Sequence, residues 1–158
     1  MIRIRLATEN DIPRLNDLLS QVLTVHQKGR PDLFKPGTRK YTEEELRTLL
    51  ADPMRPVYVF DDEAEGVLGY AFCIVQEQPE THTLYARKTL YIDDLCVDER
   101  ARRQKIGQTL FEHVKAVAEA NGFDAVTLNV WHLNSDAEAF YRALGMQPLK
   151  TTMEMKLK

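Results

Sequence analysis

Little in this 158-residue chain would brace it covalently or carry it through a membrane. Its two cysteines, Cys73 and Cys96, each sit inside an apolar, strand-like run, where a small buried thiol is expected rather than a disulfide or a nucleophile. No apolar run approaches the roughly eighteen residues of a membrane span, and the N-terminus lacks the charged-then-apolar layout of a signal peptide. The expectation is a soluble, unexported protein with the cytoplasm as its default place and no membrane partner. The four histidines, His26, His82, His113 and His132, have no ligand spacing, so no metal site is suggested. Basic excess is missing too: a net charge of −3 argues against a general nucleic-acid binder. Without repeats, low-complexity segments or a linker, residues 1–158 read as a single domain, long enough for one buried core and too short for two.

What is present reads as alternating elements. Ile2, Ile4 and Leu6 alternate with Arg3 and Arg5 as a strand, and Thr8 caps a helix whose stripe is Ile12, Leu15, Leu19 and Val22, ending near His26. From Gln27 to Lys40, Gly29, Pro31, Pro36 and Gly37 break the pattern, yet Leu33 and Phe34 need cover. Thr42 and Glu45 form a capping box for a short helix that Asp52-Pro53 stops. Val57 to Phe60 and Val67 to Val75 read as a hairpin around an acidic turn, with Gly69 marking a bulge or a close backbone contact. Thr89 to Val97 is the next strand, followed by a helix from about Arg103 to Ala120 that Asn121-Gly122 stops. A strand through Val126, Leu128 and Val130, a helix from Asp136 to Leu144 and a final strand from Thr151 to Leu157 complete the chain. The class is α/β or α+β: a mixed, mostly antiparallel central sheet of about six or seven strands with helices on both faces.

The stretch from Leu95 to Gly107, Leu-Cys-Val-Asp-Glu-Arg-Ala-Arg-Arg-Gln-Lys-Ile-Gly, carries an apolar strand into a basic loop that opens a helix. The first amides of a helix have no intrahelical partner and the helix dipole adds positive character there. Arg102, Arg103, Lys105 and the amides through Gly107 therefore form a candidate anion cradle. A solvated basic turn is the plainer alternative.

One strand later comes Asn134-x-x-Ala137-x-x-Phe140-Tyr141-x-x-Leu144-Gly145-Met146. Together with Leu95-x-Val97 and Arg102-Arg103-Gln104-Lys105-Ile106-Gly107, it resembles the two most diagnostic blocks of the GNAT superfamily of acetyl-CoA-dependent N-acetyltransferases. The resemblance spans nearly the whole chain. One departure stands out: the family usually has glycine where this chain has Lys105.

The resemblance implies acetyl-CoA as co-substrate and an amine acceptor, and leaves a homodimer open. It implies that Arg102, Arg103, Gln104, Lys105, Ile106 and Gly107 hold the pyrophosphate, and that Leu95, Cys96 and Val97 line the pantetheine arm between two splayed strands. Asn134 caps the last helix, reaches the same arm, or both. Tyr141 takes the place of the tyrosine that protonates the departing thiolate, with a core tyrosine as its plainer reading. Asp93 stands where polyamine acetyltransferases carry a carboxylate proposed as base. In ideal alternation Asp93 shares a face with Leu95 and Val97 while Asp94 points to the other, and a strand bulge would exchange the two. By the same resemblance Arg30, Asp32, Phe34 and Lys35 lie on the acceptor side of the cleft, with a packed structural loop as the plainer reading. The favoured function is direct acetyl transfer to an amine with no acyl-enzyme. The rivals are a non-catalytic CoA-binding module and, less favoured for want of a Walker-like run, a nucleotide-binding module.

Overall fold

The computed structural model describes residues 1–37, 39–102 and 104–158; Arg103 and Thr38 lie outside it, and with Arg103 one member of the expected cradle. Five strands form one sheet in chain order: β1 (Ile2–Leu6), β2 (Val57–Asp62), β3 (Gly66–Gln78), β4 (Arg87–Val97) and β5 (Ala125–Leu128). Neighbours run antiparallel except β4 and β5, which are parallel. Four α-helices accompany them among the described residues: α1 (Ile12–Gly29), α2 (Glu43–Leu50), α3 (Ile106–Ala120) and α4 (Ser135–Ala143). None of the described helices is long and apolar enough to cross a membrane.

Alternation along the strands divides the core in two. Tyr58, Phe60, Leu68, Ala71, Leu90 and Ile92 meet Ile106, Leu110, Phe111 and Val114 of α3 on one face. Val57, Val59, Val67, Tyr70, Phe72 and Cys96 meet Leu15, Leu18 and Leu19 of α1 and Leu46 and Leu49 of α2 on the other. Each face thus buries its own helices, and the sheet is held from both sides. The capping box at α2 is formed as its spacing implies: Glu45 N–H donates to Thr42 Oγ1 at 3.1 Å and Thr42 N–H to Glu45 Oε1 at 3.0 Å.

Among the described residues the expected six or seven strands are five, and the segment from Thr151 to Leu157 is not one of them. Its alternation is real, with Met153, Met155 and Leu157 84–88% exposed, while Arg30 contacts Glu154 at 3.0 Å and Lys156 approaches Asp32 at 3.7 Å. Alternation describes one face of an extended chain, whereas a strand also needs ladder hydrogen bonds, and this segment pairs with no described strand. Smaller corrections concern boundaries. α1 runs on to Gly29, α3 begins at Ile106 rather than near Arg103, and β5 stops at Leu128 instead of Val130.

Two bulges position the site. In β3, Phe60 pairs with Gly69 but Asp61 with Val67, so Leu68 is extra. A Cβ on Gly69 would lie 2.9 Å from the Cys96 carbonyl oxygen and 3.0 Å from Ile106 Cγ2. Both readings of this glycine hold: it flanks a bulge and lets the first turn of α3 down onto the sheet. In β4, Phe72 pairs with Asp94 but Cys73 with Ile92, so Asp93 is the extra residue.

Candidate active site

The β4–β5 ladder runs from Thr89↔Ala125 to Ile92↔Leu128 and stops. Beyond it, Asp93–Val97 of β4 has no ladder partner on its β5 side among the described residues. Across to β3, the Asp98 N–H donates to the Leu68 carbonyl at 2.8 Å. Hydrogen-bonded and non-bonded pairs alternate along an antiparallel ladder, so the peptide groups of Val97 and Leu95 turn away from β3 into the open side. Cys96 is the opposite case: it pairs back with Tyr70 of β3, and its thiol is buried, pointing at the Leu18 carbonyl 3.7 Å away. Burial pushes both the Cys96 and the Cys73 thiols up to about 12, which leaves them protonated and unreactive.

Val97 feeds a loop that one buried carboxylate holds in place. Asp98 is fully buried, accepts from Arg14 of α1 through a short ion pair, and accepts from the Arg100 backbone N–H at 3.0 Å and its guanidinium at 3.1 Å. Arg14 also donates to the Val67 carbonyl at 2.8 Å. These hydrogen bonds hold the Asp98 carboxyl well below the usual carboxylate range. Neither Asp98 nor Arg14 is among the residues the sequence singles out. The available signal was an aspartate directly after an apolar strand, where only a paired charge can be buried.

Lys105 takes φ 58° and ψ 26°, the left-handed region, and is the non-glycine residue with positive φ among those described. The usual glycine of the motif stands at this position for that reason: the turn into the helix needs a conformation that a Cβ disfavours. The first helical bond is Thr109 N–H to the Lys105 carbonyl at 3.0 Å, so the amides of Ile106, Gly107 and Gln108 come before the helical ladder begins. Arg102 and Gln104 flank them, both exposed. A Cβ on Gly107 would come within 3.3 Å of Phe140 Cζ, 3.6 Å of Val97 Cγ2 and 3.7 Å of Leu95 Cδ2. The start of α3, the end of β4 and α4 therefore converge on a residue with no side chain.

α4 brings Asn134 and Tyr141. Asn134 Oδ1 accepts from the Ala137 N–H at 3.2 Å, so its carbonyl is spent on the cap while its amide nitrogen is not. Tyr141 packs edge-on to Phe140 with centroids 5.0 Å apart, and its hydroxyl makes no hydrogen bond to any described residue. Burial, and secondarily the charge of Asp94, push its phenol up to about 12.

The Asp93 bulge corrects the expected alternation. Leu95 and Val97 share a face with Ile92 and not with Asp93, and the two carboxylates do not point to opposite faces: both act on Lys40. Lys40 Nζ lies 3.4 Å from Asp93 Oδ2. Asp94 accepts from the Tyr70 hydroxyl at 2.8 Å and acts on His26 and Tyr141 as well. Desolvation raises the Asp94 carboxyl above its ordinary value against the pull of Lys40. Of the loop residues, Phe34 packs at a tilt against His26 with centroids 5.1 Å apart, whereas Arg30 and Asp32 pair with each other at 2.8 Å and with the C-terminal tail.

The model of the acetyltransferase (GNAT) family matches residues 20–146 of the chain. No curated protein sequence matches it. Among solved structures, a tetramutant of the BH1408 protein from Bacillus halodurans is 35% identical, with a TM-score of 0.94 over 98% of this chain and 99% of that one. An aminoglycoside acetyltransferase from an uncultured soil metagenomic sample, solved in complex with sisomicin, is 23% identical, with a TM-score of 0.75 over 99% of this chain and 97% of that one. At that identity the likeness concerns the fold.

Proposed function

The chain belongs to the GNAT acetyltransferase family, and from that premise we propose that it moves the acetyl group of acetyl-CoA directly onto a primary amine of a small molecule or a protein. The observation that carries this reading is the opening beside β4. The free peptide groups of Leu95 and Val97 face it, the unladdered amides of α3 follow within a few residues, and Gly107 leaves room between them and Phe140. When bound, acetyl-CoA supplies an activated acetyl thioester and a phosphate-bearing anchor.

The residues present suit that group. The amides of Ile106, Gly107 and Gln108, with Arg102 and Gln104 in the loop and Lys105 at the turn, offer donors and positive charge for a pyrophosphate. Leu95 and Val97 offer backbone partners to an extended arm, Cys96 fixes the strand between them from behind, and the Asn134 amide nitrogen, which the cap does not use, would add a donor from α4. The Val97 N–H would donate to negative charge developing on a carbonyl oxygen.

A cationic amine must lose a proton before it can attack. Asp93 was the first candidate to accept it; Asp94, with its carboxyl raised by burial, holds the better-matched acidity, and Lys40 already occupies Asp93. Tyr141, its phenol raised by burial, offers its proton to the departing sulfur, whose own basicity the same desolvation raises. Both cysteines are buried and protonated, which favours direct transfer over an acyl-enzyme.

The test is titration with acetyl-CoA followed by thiol release with an amine panel. Micromolar binding and amine-dependent release are expected. Absence of acetyl-CoA binding sinks the reading, and binding without release for any amine leaves a CoA-binding module.

A further inference from the structure

Near the carboxylates, three segments of the chain place a wall of rings. His26, on the last turn of α1, lies 5.1 Å from Phe34 and 6.3 Å from Trp131, and Phe34 meets Trp131 edge-on at 5.6 Å. The turn that carries Trp131 is seated firmly: a Cβ on Gly29 would lie 2.9 Å from Leu133 Cδ1, so the end of α1 and this turn touch without a gap. Trp131 is still 42% exposed, an indole held in place with a large face left to solvent. Its neighbour His26 lies within range of the Asp94 charge, which ties the ring wall to the floor of the site.

Several of the described charges around this wall are engaged in ion pairs. On the floor, Asp93 and Asp94 face one ammonium, Lys40, while burial lowers the His26 pKa and leaves its imidazole neutral at pH 7. Two carboxylates against one ammonium leave one uncompensated negative charge on this floor, and Asp94 has a neutral tyrosine as its hydrogen-bonded partner. At the rim, Asp32 and Glu154 are both engaged by Arg30, and Asp32 also by Lys156. A polycation needs several uncompensated carboxylates spaced along its length, and this rim offers rings in their place.

We propose that the acceptor of this acetyltransferase is a monocationic amine with a flat or apolar body, its ammonium on Asp94 and its body against Phe34 and Trp131. The inference rests on the acetyl-transfer reading above and adds the substrate class to it. One charge matches one uncompensated carboxylate charge, and the rings supply apolar contact that a polyhydroxylated or polycationic acceptor uses poorly.

The test compares 2-phenylethylamine and tryptamine with ethanolamine, spermidine and sisomicin by thiol release at saturating acetyl-CoA, in the wild type and in Trp131→Ala, Trp131→Phe and Asp94→Asn. Specificity (kcat/KM) for the arylalkylamines should exceed that for spermidine and sisomicin by at least about tenfold. Trp131→Ala should raise KM for tryptamine by about tenfold and for ethanolamine by less than about twofold, with Trp131→Phe restoring most of the difference. A preference for spermidine or sisomicin, or an equal effect of Trp131→Ala on every amine, overturns the proposal. If no amine is acetylated, calorimetry of tryptamine on the acetyl-CoA-loaded protein separates the two claims. Binding that Trp131→Ala weakens keeps the ring site and ends the transfer reading, and no binding ends the ring site.

Discussion

Replacing Lys105 by glycine should make the protein slightly more stable, although it deletes a residue of the candidate cofactor loop. Lys105 sits at φ 58° and ψ 26°, where a side chain costs about 1–2 kcal/mol relative to glycine. Glycine also widens the unfolded ensemble, which takes back about 0.5–1 kcal/mol. The net gain is about 0.5–1 kcal/mol, a rise in melting temperature of about 1–4 °C for a chain of this length. Lys105→Ala separates strain from charge, because alanine keeps the Cβ and loses the ammonium; its melting temperature should stay within about 1 °C of wild type. Thermal unfolding by circular dichroism reads these shifts, and calorimetry with acetyl-CoA reads the loop. Affinity in Lys105→Gly should be equal or slightly tighter, since the backbone amides do the holding. A lower melting temperature in Lys105→Gly, or an alanine variant stabilised as much as the glycine one, would refute the strain argument. A tenfold loss of affinity shared by both variants would assign the Lys105 ammonium to a phosphate.

Three further outcomes follow from the same geometry. Gly107→Ala must push Phe140 back by a few tenths of an ångström and should cost about 1 kcal/mol or less in stability, while Gly107→Glu puts a carboxylate into the anion cradle and should abolish acetyl-CoA binding by calorimetry. Tyr141→Phe should lower kcat by about ten- to a thousandfold with acetyl-CoA affinity and melting temperature unchanged, because its hydroxyl bonds no described residue; a fall in melting temperature with normal turnover would return it to the core. Asp98→Asn should cost about 2 kcal/mol at pH 7, less than the loss of a fully buried pair because Arg14 is partly exposed. Since folding lowers this carboxyl's pKa, its contribution is complete above the ordinary value of 3.8 and is lost as pH falls below it, so melting curves of wild type and variant should converge in acid.

Much of this was legible in the sequence because local chemistry decides it. The capping box of Thr42 and Glu45, the left-handed stop at Gly122 and the two-sided strands follow from neighbours a few residues apart, and those elements stand where they are expected. The family motif also found the loop and α4. Long-range facts were not legible. That Thr151–Leu157 joins no described strand, and that Arg30 and Asp32 are occupied by a tail more than a hundred residues away, are settled far along the chain. Asp98 and Arg14 meet across 84 positions, and the ring wall joins His26, Phe34 and Trp131 from three segments. Lys105 was visible as a departure, but its reason is a torsion angle, which no composition displays.

The Asp93 bulge is where fold and chemistry meet, and deleting that one residue tests whether they are the same fact. An extra residue kinks and over-twists its strand. The β4–β5 ladder ends at Ile92↔Leu128, directly before the bulge, so β5 ceases to follow β4 at the point where β4 bends. The same insertion places Ile92 and Leu95 on one face and brings Asp94 round to Tyr70 and Lys40. One inserted residue thus supplies both the opening and the carboxylate beside it. Deleting Asp93 restores unbroken alternation from Leu90 to Val97 and removes the bend, while Asp94 keeps its register with Phe72. The variant should fold with wild-type far-ultraviolet circular dichroism and lose acetyl-CoA affinity by at least about tenfold as β5 closes on β4. Asp93→Ala, which keeps the extra residue and removes only its charge, should bind acetyl-CoA like wild type. Unchanged affinity in the deletion would mean that the strands part for another reason, and equal losses in both variants would move the cause from the backbone of Asp93 to its carboxylate.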